Sequence, residues 1–221
     1  MSNSIAIDGP AGAGKSTIAK LVAEKLGYIY VDTGAMYRAM ALYLIRQHID
    51  RNDTVAIEKA CEEADISISF EDGQQVVTLF GENVNGLLRT EEVGNMASVS
   101  STNPVVRSKL VSLQQKLACE KDVVMDGRDI GTVVLPDSKC KIYLTASSKV
   151  RAKRRYDELA AKGEPADISR IEADIIERDN RDMTREHSPL RRADDAILID
   201  SSDMTIEEVR DAILLEAGRK L

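Results

Sequence analysis

Between residues 9 and 17 the chain reads GPAGAGKST, with glycines at 9, 12 and 14, a lysine at 15 and a hydroxyl at 16. Glycines at a strand-to-helix bend let successive backbone N–H groups point into one concavity, at the positive end of the helix dipole. The chemistry that suits such a bend is the holding of phosphate. Gly9, four intervening residues, then Gly14, Lys15 and Ser16 fit the P-loop spacing. On that spacing Gly9, Pro10, Ala11, Gly12, Ala13, Gly14, Lys15, Ser16 and Thr17 form the cradle. Lys15 reaches β- and γ-phosphates, and Ser16 places its hydroxyl on Mg²⁺. A glycine loop needed only for packing, with Lys15 on a solvated face, is the plainer alternative; four specified positions in a strand-to-helix setting argue against it.

Two further groups of residues stand where ligands of α/β folds bind, at the carboxyl ends of strands. The stretch VDTGAMYR brings Asp32, Thr33, Tyr37 and Arg38 to that edge, and VVMDGRDIGT brings Asp126, Arg128 and Asp129. Asp126 follows three apolar residues, as a Walker B carboxylate does, and would act on Mg²⁺ directly or through water. An Asp after a strand also serves as a helix cap. Tyr37 is equally suited to the core and to a ligand.

The elements that must position these groups follow from the hydrophobic pattern. Strands are expected at Ile5 to Ile7, Tyr28 to Val31, Val123 to Met125, Lys141 to Leu144 and Ala196 to Ile199, each beside a helical segment. This rhythm predicts an α/β fold with a five-stranded parallel sheet wound by helices. The first helix is expected from Thr17 to Leu26, and a last one near TIEEV, where Thr205 and Glu208 have capping-box spacing. From 64 to 90 alternating β-branched residues flank an acidic-Gly turn, which predicts a small antiparallel β insertion. The chain is read as one domain, 1–221, that carries this insertion at 64–90.

From about Lys149 to Arg185 the sequence is charged and helical, broken at KGEPAD. Arg151, Arg154 and Arg155 stand three and four apart, and Arg178, Arg181 and Arg185 follow at i, i+3 and i+7, so each set is expected on one helix face. A solvated surface paired with Glu177 and Asp182 is the ordinary reading of such helices. In this chain a phosphate site needs cations, because the formal net charge is -7. The same charge argues against a general partner such as a nucleic-acid polymer or an acidic membrane, whose binders are basic.

Hydrophobic content of 43% with 30% charged residues is ordinary for a globular protein. Three cysteines, Cys61, Cys119 and Cys140, lie far apart without metal-ligand spacing, so buried or half-buried thiols are expected. His48 and His187 also lack such spacing. The chain enters its first strand almost at once, with no signal pattern and no run near the ~18 apolar residues that span a bilayer. A cytoplasmic location is expected. The lack of a heptad seam favours a monomer.

GTP switches carry a guanine-reading N-K-x-D and usually a D-x-x-G; neither occurs in this sequence. Motor ATPases need coupling elements for which the chain has little room. A kinase of small molecules leads.

In order along the chain, IDGPAGAGKST, DTGAMYR, GLLRTEEV, VVMDGRDIGTVVLPD, IYLTASSKVRAKRR and ERDNRDMTR together resemble the bacterial cytidylate kinase family of nucleoside monophosphate kinases. The resemblance implies transfer of the γ-phosphoryl group of ATP, with Mg²⁺, to CMP or dCMP. The attacking phosphate oxygen is already ionised near neutral pH, so no protein base is required. The resemblance places Arg38, Arg128 and Arg185 around the CMP phosphate. Lys15 and Arg151, with Arg154 or Arg155, would serve ATP from a closing helical lid at 149–170. Arg178 and Asp182 would address the sugar, and Thr33 keeps a hydroxyl where serine is frequent in the family.

Ser98, Arg107 and Asp129 correspond to the family's base-reading positions. Cytosine offers an N4 amino donor beside N3 and O2 acceptors, which suits a carboxylate with a positive donor. The O4 of uracil would face the Asp129 acceptor, a mismatch of about 1–3 kcal/mol. On spacing alone Ser98 and Arg107 also read as helix-surface residues. The insertion would extend the monophosphate-binding region and move with substrate. A chain lacking Gly73 to Gly86 is therefore expected to fold but bind CMP poorly. The rivals are a P-loop kinase of UMP, AMP or shikimate and a non-catalytic ATP-binding module.

Overall fold

Ile5, Ala6 and Ile7 are apolar on both faces of one strand, a pattern stable only where helices cover both sides of a sheet. The computed structural model, which describes residues 2–71 and 73–221, has this arrangement. β1 (Ser4–Asp8) is the central one of five strands, between β6 (Val123–Gly127) and β7 (Cys140–Thr145). β2 (Ile29–Asp32) forms one edge and β8 (Ile197–Asp200) the other, and every pairing is parallel. The expected α/β sheet is present. Its register sets Ile7 of β1 and Asp32 of β2 both opposite Asp126 of β6, so the P-loop and both carboxylates leave one sheet edge together.

Successive strand residues face opposite sides. Ile5 and Ile7 pack against Ile18 and Val22 of α1 (Lys15–Leu26) and Ile213 of α8 (Ile206–Lys220). Ala6, Val31 and Met125 pack on the other side with Ala118 of α5 (Pro104–Glu120) and Val134 of the turn at Ile130–Val134. Each fully buried Ile or Leu here contributes about 1.5–3 kcal/mol of transfer free energy. Thr205 and Glu208 close the expected capping box on α8.

A second core joins α2 (Thr33–Arg46), α3 (Thr54–Glu63) and α4 (Glu91–Ser100) to an antiparallel sheet of β3 (Ile66–Glu71), β4 (Gln74–Leu79) and β5 (Glu82–Asn83). This is the expected insertion, although part of its acidic turn, Asp72, lies outside the described residues. Val77, Leu79 and Val84 are buried against α2. Removing Gly73 to Gly86 would expose that face of α2, so the expectation that such a chain folds does not survive.

Other local readings shift as well. α1 begins at Lys15 rather than Thr17, because Gly14, at φ 86°, already turns the chain into the helix. α2 begins with no loop, since the side chain of Asp32 caps it by accepting from the Ala35 N–H at 3.0 Å. The charged segment forms α6 (Ser148–Ala161) and α7 (Ile168–Thr184), packed on each other. α7 ends at Thr184, and Arg185 is extended, so Arg185 leaves the face of Arg178 and Arg181. Cys61 and Cys140 are buried, but Cys119 is exposed on α5. Among the described residues no helix is long and apolar enough to cross a membrane.

Candidate active site

Gly9 ends β1 against the backbone of β7, where a Cβ would overlap the Leu144 carbonyl. That close approach turns the loop 9–14 over the sheet edge. Beyond it lies a cleft of about 240 Å³. It runs from Ala11, Gly12, Lys15 and Ser16 of the P-loop to Arg107 and Asp129. Seven cations, Lys15 and Arg38, 89, 107, 128, 178 and 185, line it against four carboxylates, Asp32, 126, 129 and 182. In a chain of net charge -7 this one cleft carries a cationic excess, which suits a polyanion.

At the P-loop end Lys15 is buried and donates from Nζ to the Pro10 carbonyl at 2.7 Å. Burial and the nearby Arg128 lower its pKa to about 7. Ser16 Oγ donates to Asp126 Oδ2 at 2.9 Å, and Tyr30 Oη donates to Asp126 Oδ1 at 2.8 Å. Burial, then the neighbouring Asp32, raise the Asp126 pKa. Among the described residues no cluster of three or more His, Cys, Asp or Glu side chains could hold a metal. The adjacent hydroxyl and carboxylate of Ser16 and Asp126 instead fit a hard divalent cation that brings its remaining oxygen ligands from water and phosphate.

In the middle of the cleft Arg128 Nε donates to Asp182 Oδ2 at 2.8 Å. Arg178 Nε and Arg185 Nη2 are buried donors with no hydrogen-bond partner among the described residues. Buried donors without partners are uncommon, and an anion in this cleft would satisfy them. Burial lowers the pKa of Arg38, Arg178 and Arg185 from the usual guanidinium value. These arginines therefore face the cleft incompletely compensated, ready for bidentate binding of phosphate.

At the far end Asp129 and Arg107 form a buried ion pair, with Arg185 Nη2 3.8 Å from Asp129 Oδ1. The Arg107 guanidinium lies over the Tyr37 ring at 5.7 Å. Tyr37 lines the cleft and also packs on the second core, and burial pushes its phenol up to about 12. Ser98 lines the same end, accepting from Arg181 Nη1 at 3.2 Å. Arg107 is buried rather than a surface residue of the first turn of α5.

Other expected residues are placed differently. Thr33 lines the cleft, but its hydroxyl donates to the Asp126 carbonyl at 2.7 Å and ties β2 to β6. Arg151 reaches the P-loop and not the cleft: its guanidinium donates to Ala146 O, Ala11 O and Asp179 Oδ2 at 2.8, 2.9 and 2.6 Å. Arg154 bonds Ser201, while Arg155 is an exposed partner of Glu158, so these three do not act as one face. Gly9, Pro10, Ala13, Gly14 and Thr17 shape the P-loop without lining the cleft.

Two side chains at the site lie inside stretches quoted above, Arg89 in GLLRTEEV and Asp8 in IDGPAGAGKST, but their spacing gives neither a role. Arg89 lines the cleft and bonds Asp32 Oδ2 at 2.8 Å. Asp8 is buried beneath the loop that carries Arg128 and Asp129, accepting from the Ile130 and Gly131 N–H groups, each at 2.7 Å. Tyr30 was open to detection, since strand periodicity puts it on the face of Asp32.

A family model described as cytidylate kinase matches residues 5–219. A cytidylate kinase of Caldicellulosiruptor saccharolyticus is 53% identical over 210 residues, 95% of this chain and 93% of the relative. One of Listeria innocua is 47% identical over 218 residues, 98% of this chain and 96% of the relative. Among solved structures, an uncharacterized protein of Eubacterium ventriosum shares the fold with a TM-score of 0.54 at 14% identity, over 100% of both chains. With a family match over nearly its whole length and relatives near half identity, the chain belongs to the cytidylate kinase family.

Proposed function

We propose that this chain transfers the γ-phosphoryl group of ATP to CMP or dCMP, giving ADP and CDP or dCDP. The observation that carries this reading is one cleft that runs from the P-loop past a separate set of arginines to the buried Asp129–Arg107 pair. An acceptor phosphate oxygen attacks the γ-phosphorus as the bond to the β–γ bridging oxygen breaks, and ADP leaves. No proton needs to move in that step. The protein's contribution is alignment and neutralisation of charge.

Arg38, Arg128 and Arg185 hold the acceptor phosphate, Arg178 and Asp182 face the sugar, and Ser98, Arg107 and Asp129 read the base. Lys15 leaves the Pro10 carbonyl for the β- and γ-phosphates. Ser16 and Asp126 would hold Mg²⁺, which would supply neutralisation of the charge on the donor phosphates. The segment 149–170 is the lid and brings Arg151 and Arg154 over the donor; residues 64–90 form the wall of the monophosphate region. Three free thiols suit a reducing cytoplasm, and the protein works as a monomer.

Calorimetry tests the two-ended cleft. CMP and a non-hydrolysable ATP analogue should each bind once and without competing. Binding of the analogue alone would favour an ATP-binding module.

A further inference from the structure

Edge strands leave one row of backbone groups without a neighbour, and β2 is such an edge. At Asp32 a side chain takes the neighbour's place. Gln75, half-buried on β4, accepts from the Asp32 N–H through Oε1 at 2.7 Å and donates from Nε2 to the Asp32 carbonyl at 3.2 Å. One amide making both bonds imitates a further strand for the length of one residue. Among the described residues these two are the hydrogen bonds between β4 and β2.

Gln75 is itself anchored from behind. Its carbonyl accepts from Asn85 Nδ2 at 2.7 Å, while Asn85 Oδ1 accepts from the Val77 N–H at 3.0 Å. Alongside the contact, a cleft of about 840 Å³ bounded by Tyr30 and Phe70 separates the insertion from α1 and β2. The insertion therefore meets this part of the sheet edge through this amide and through Phe70, which packs on the core containing Val31, with open space beside them.

The residue so gripped has consequences on its other side. Asp32 Oδ1 caps α2, the helix that carries Tyr37 and Arg38, and Oδ2 holds Arg89 at the mouth of the substrate cleft. We infer that Gln75 is a positioning residue: through Asp32 it makes the placement of Arg89 and of the α2 N-terminus depend on the docking of the insertion. This inference rests on the phosphoryl-transfer reading above, in which that end of the cleft receives the acceptor phosphate. Gln75 touches no substrate and acts through Asp32.

The test uses Gln75→Leu, which keeps similar bulk and loses both bonds, and Gln75→Glu, which keeps an acceptor for the Asp32 N–H. Losing two such bonds should raise KM for CMP about 10-fold in Gln75→Leu, leaving KM for ATP unchanged. Gln75→Glu should recover part of that loss. Hydrogen exchange at the Asp32 amide should quicken in Gln75→Leu. Combined with Arg89→Ala, the leucine variant should add little to the effect of Arg89→Ala alone, because both act on one chain of contacts. An unchanged KM for CMP, an equal rise for ATP, or full additivity with Arg89→Ala would overturn the inference. If the wild-type protein did not phosphorylate CMP, the functional reading would fail separately; amide exchange would still test the docking, and unchanged exchange would overturn it.

Discussion

Ser16 and Asp126, 110 residues apart in sequence, share a hydrogen bond of 2.9 Å between hydroxyl and carboxylate. The parallel register of β1 and β6 brings them there, and a cation bound at this point would replace their shared proton contact. The pair should set the Mg²⁺ requirement. Asp126→Asn keeps the shape and removes the charge, so the Mg²⁺ concentration for half-maximal rate should rise at least about 10-fold. An unchanged requirement would remove Asp126 from the metal site.

Asp129 is expected to distinguish bases. In Asp129→Ala, kcat/KM should fall further for CMP than for UMP, because cytosine loses an acceptor for its amino group whereas uracil loses a repulsion. The same change leaves Arg107 buried without its carboxylate and should lower stability by about 3 kcal/mol. Equal losses for the two acceptors would leave Asp129 a structural partner of Arg107 only.

Asp8 gives the apo protein a pH dependence of definite sign. Burial raises its carboxyl from 3.8 to about 6, against the pull of the Gly131 and Ile130 N–H groups. A folded-state value above the unfolded one means that its protonated form is favoured by folding. That stability is complete below about pH 4 and is lost as pH rises through about 6. The difference in unfolding free energy between wild type and Asp8→Asn should therefore fall by about 2 kcal/mol from pH 4 to pH 7. Denaturant melts at several pH values measure it; a flat difference would mean that Asp8 titrates normally.

Thiol reagents should separate the cysteines. Cys119 is exposed, while burial raises the Cys140 thiol to about 11 and the Cys61 thiol in the same direction. One thiol should react quickly in the native protein and two more only with unfolding. Rapid reaction of all three would show that the helices around Cys61 and Cys140 open readily.

The contributions of local pattern and long-range contact separate clearly at this site. The P-loop, the strand ends bearing Asp32 and Asp126, and the insertion were legible because glycine spacing, apolar runs and turn chemistry are local signals. The arginine faces were misread where a helix ended: extension at Arg185 turns it toward Asp129, and Arg155 finds Glu158 instead of the P-loop. Gln75 carried no signal, and the roles of Arg89 and Asp8, though both lie in quoted stretches, were not legible. Their bonds to Asp32 and to the Ile130–Gly131 backbone join elements 43 to 123 residues apart, and polar residues in such positions look like ordinary surface residues.

The most direct measurement is ADP release with Mg-ATP and, separately, CMP, dCMP, UMP, AMP and shikimate, using Lys15→Ala as the control. Selective turnover of CMP and dCMP is expected, reduced at least about 1000-fold in the variant as the loss of a phosphate-neutralising cation requires. Preference for another acceptor, or turnover that survives Lys15→Ala, would contradict it.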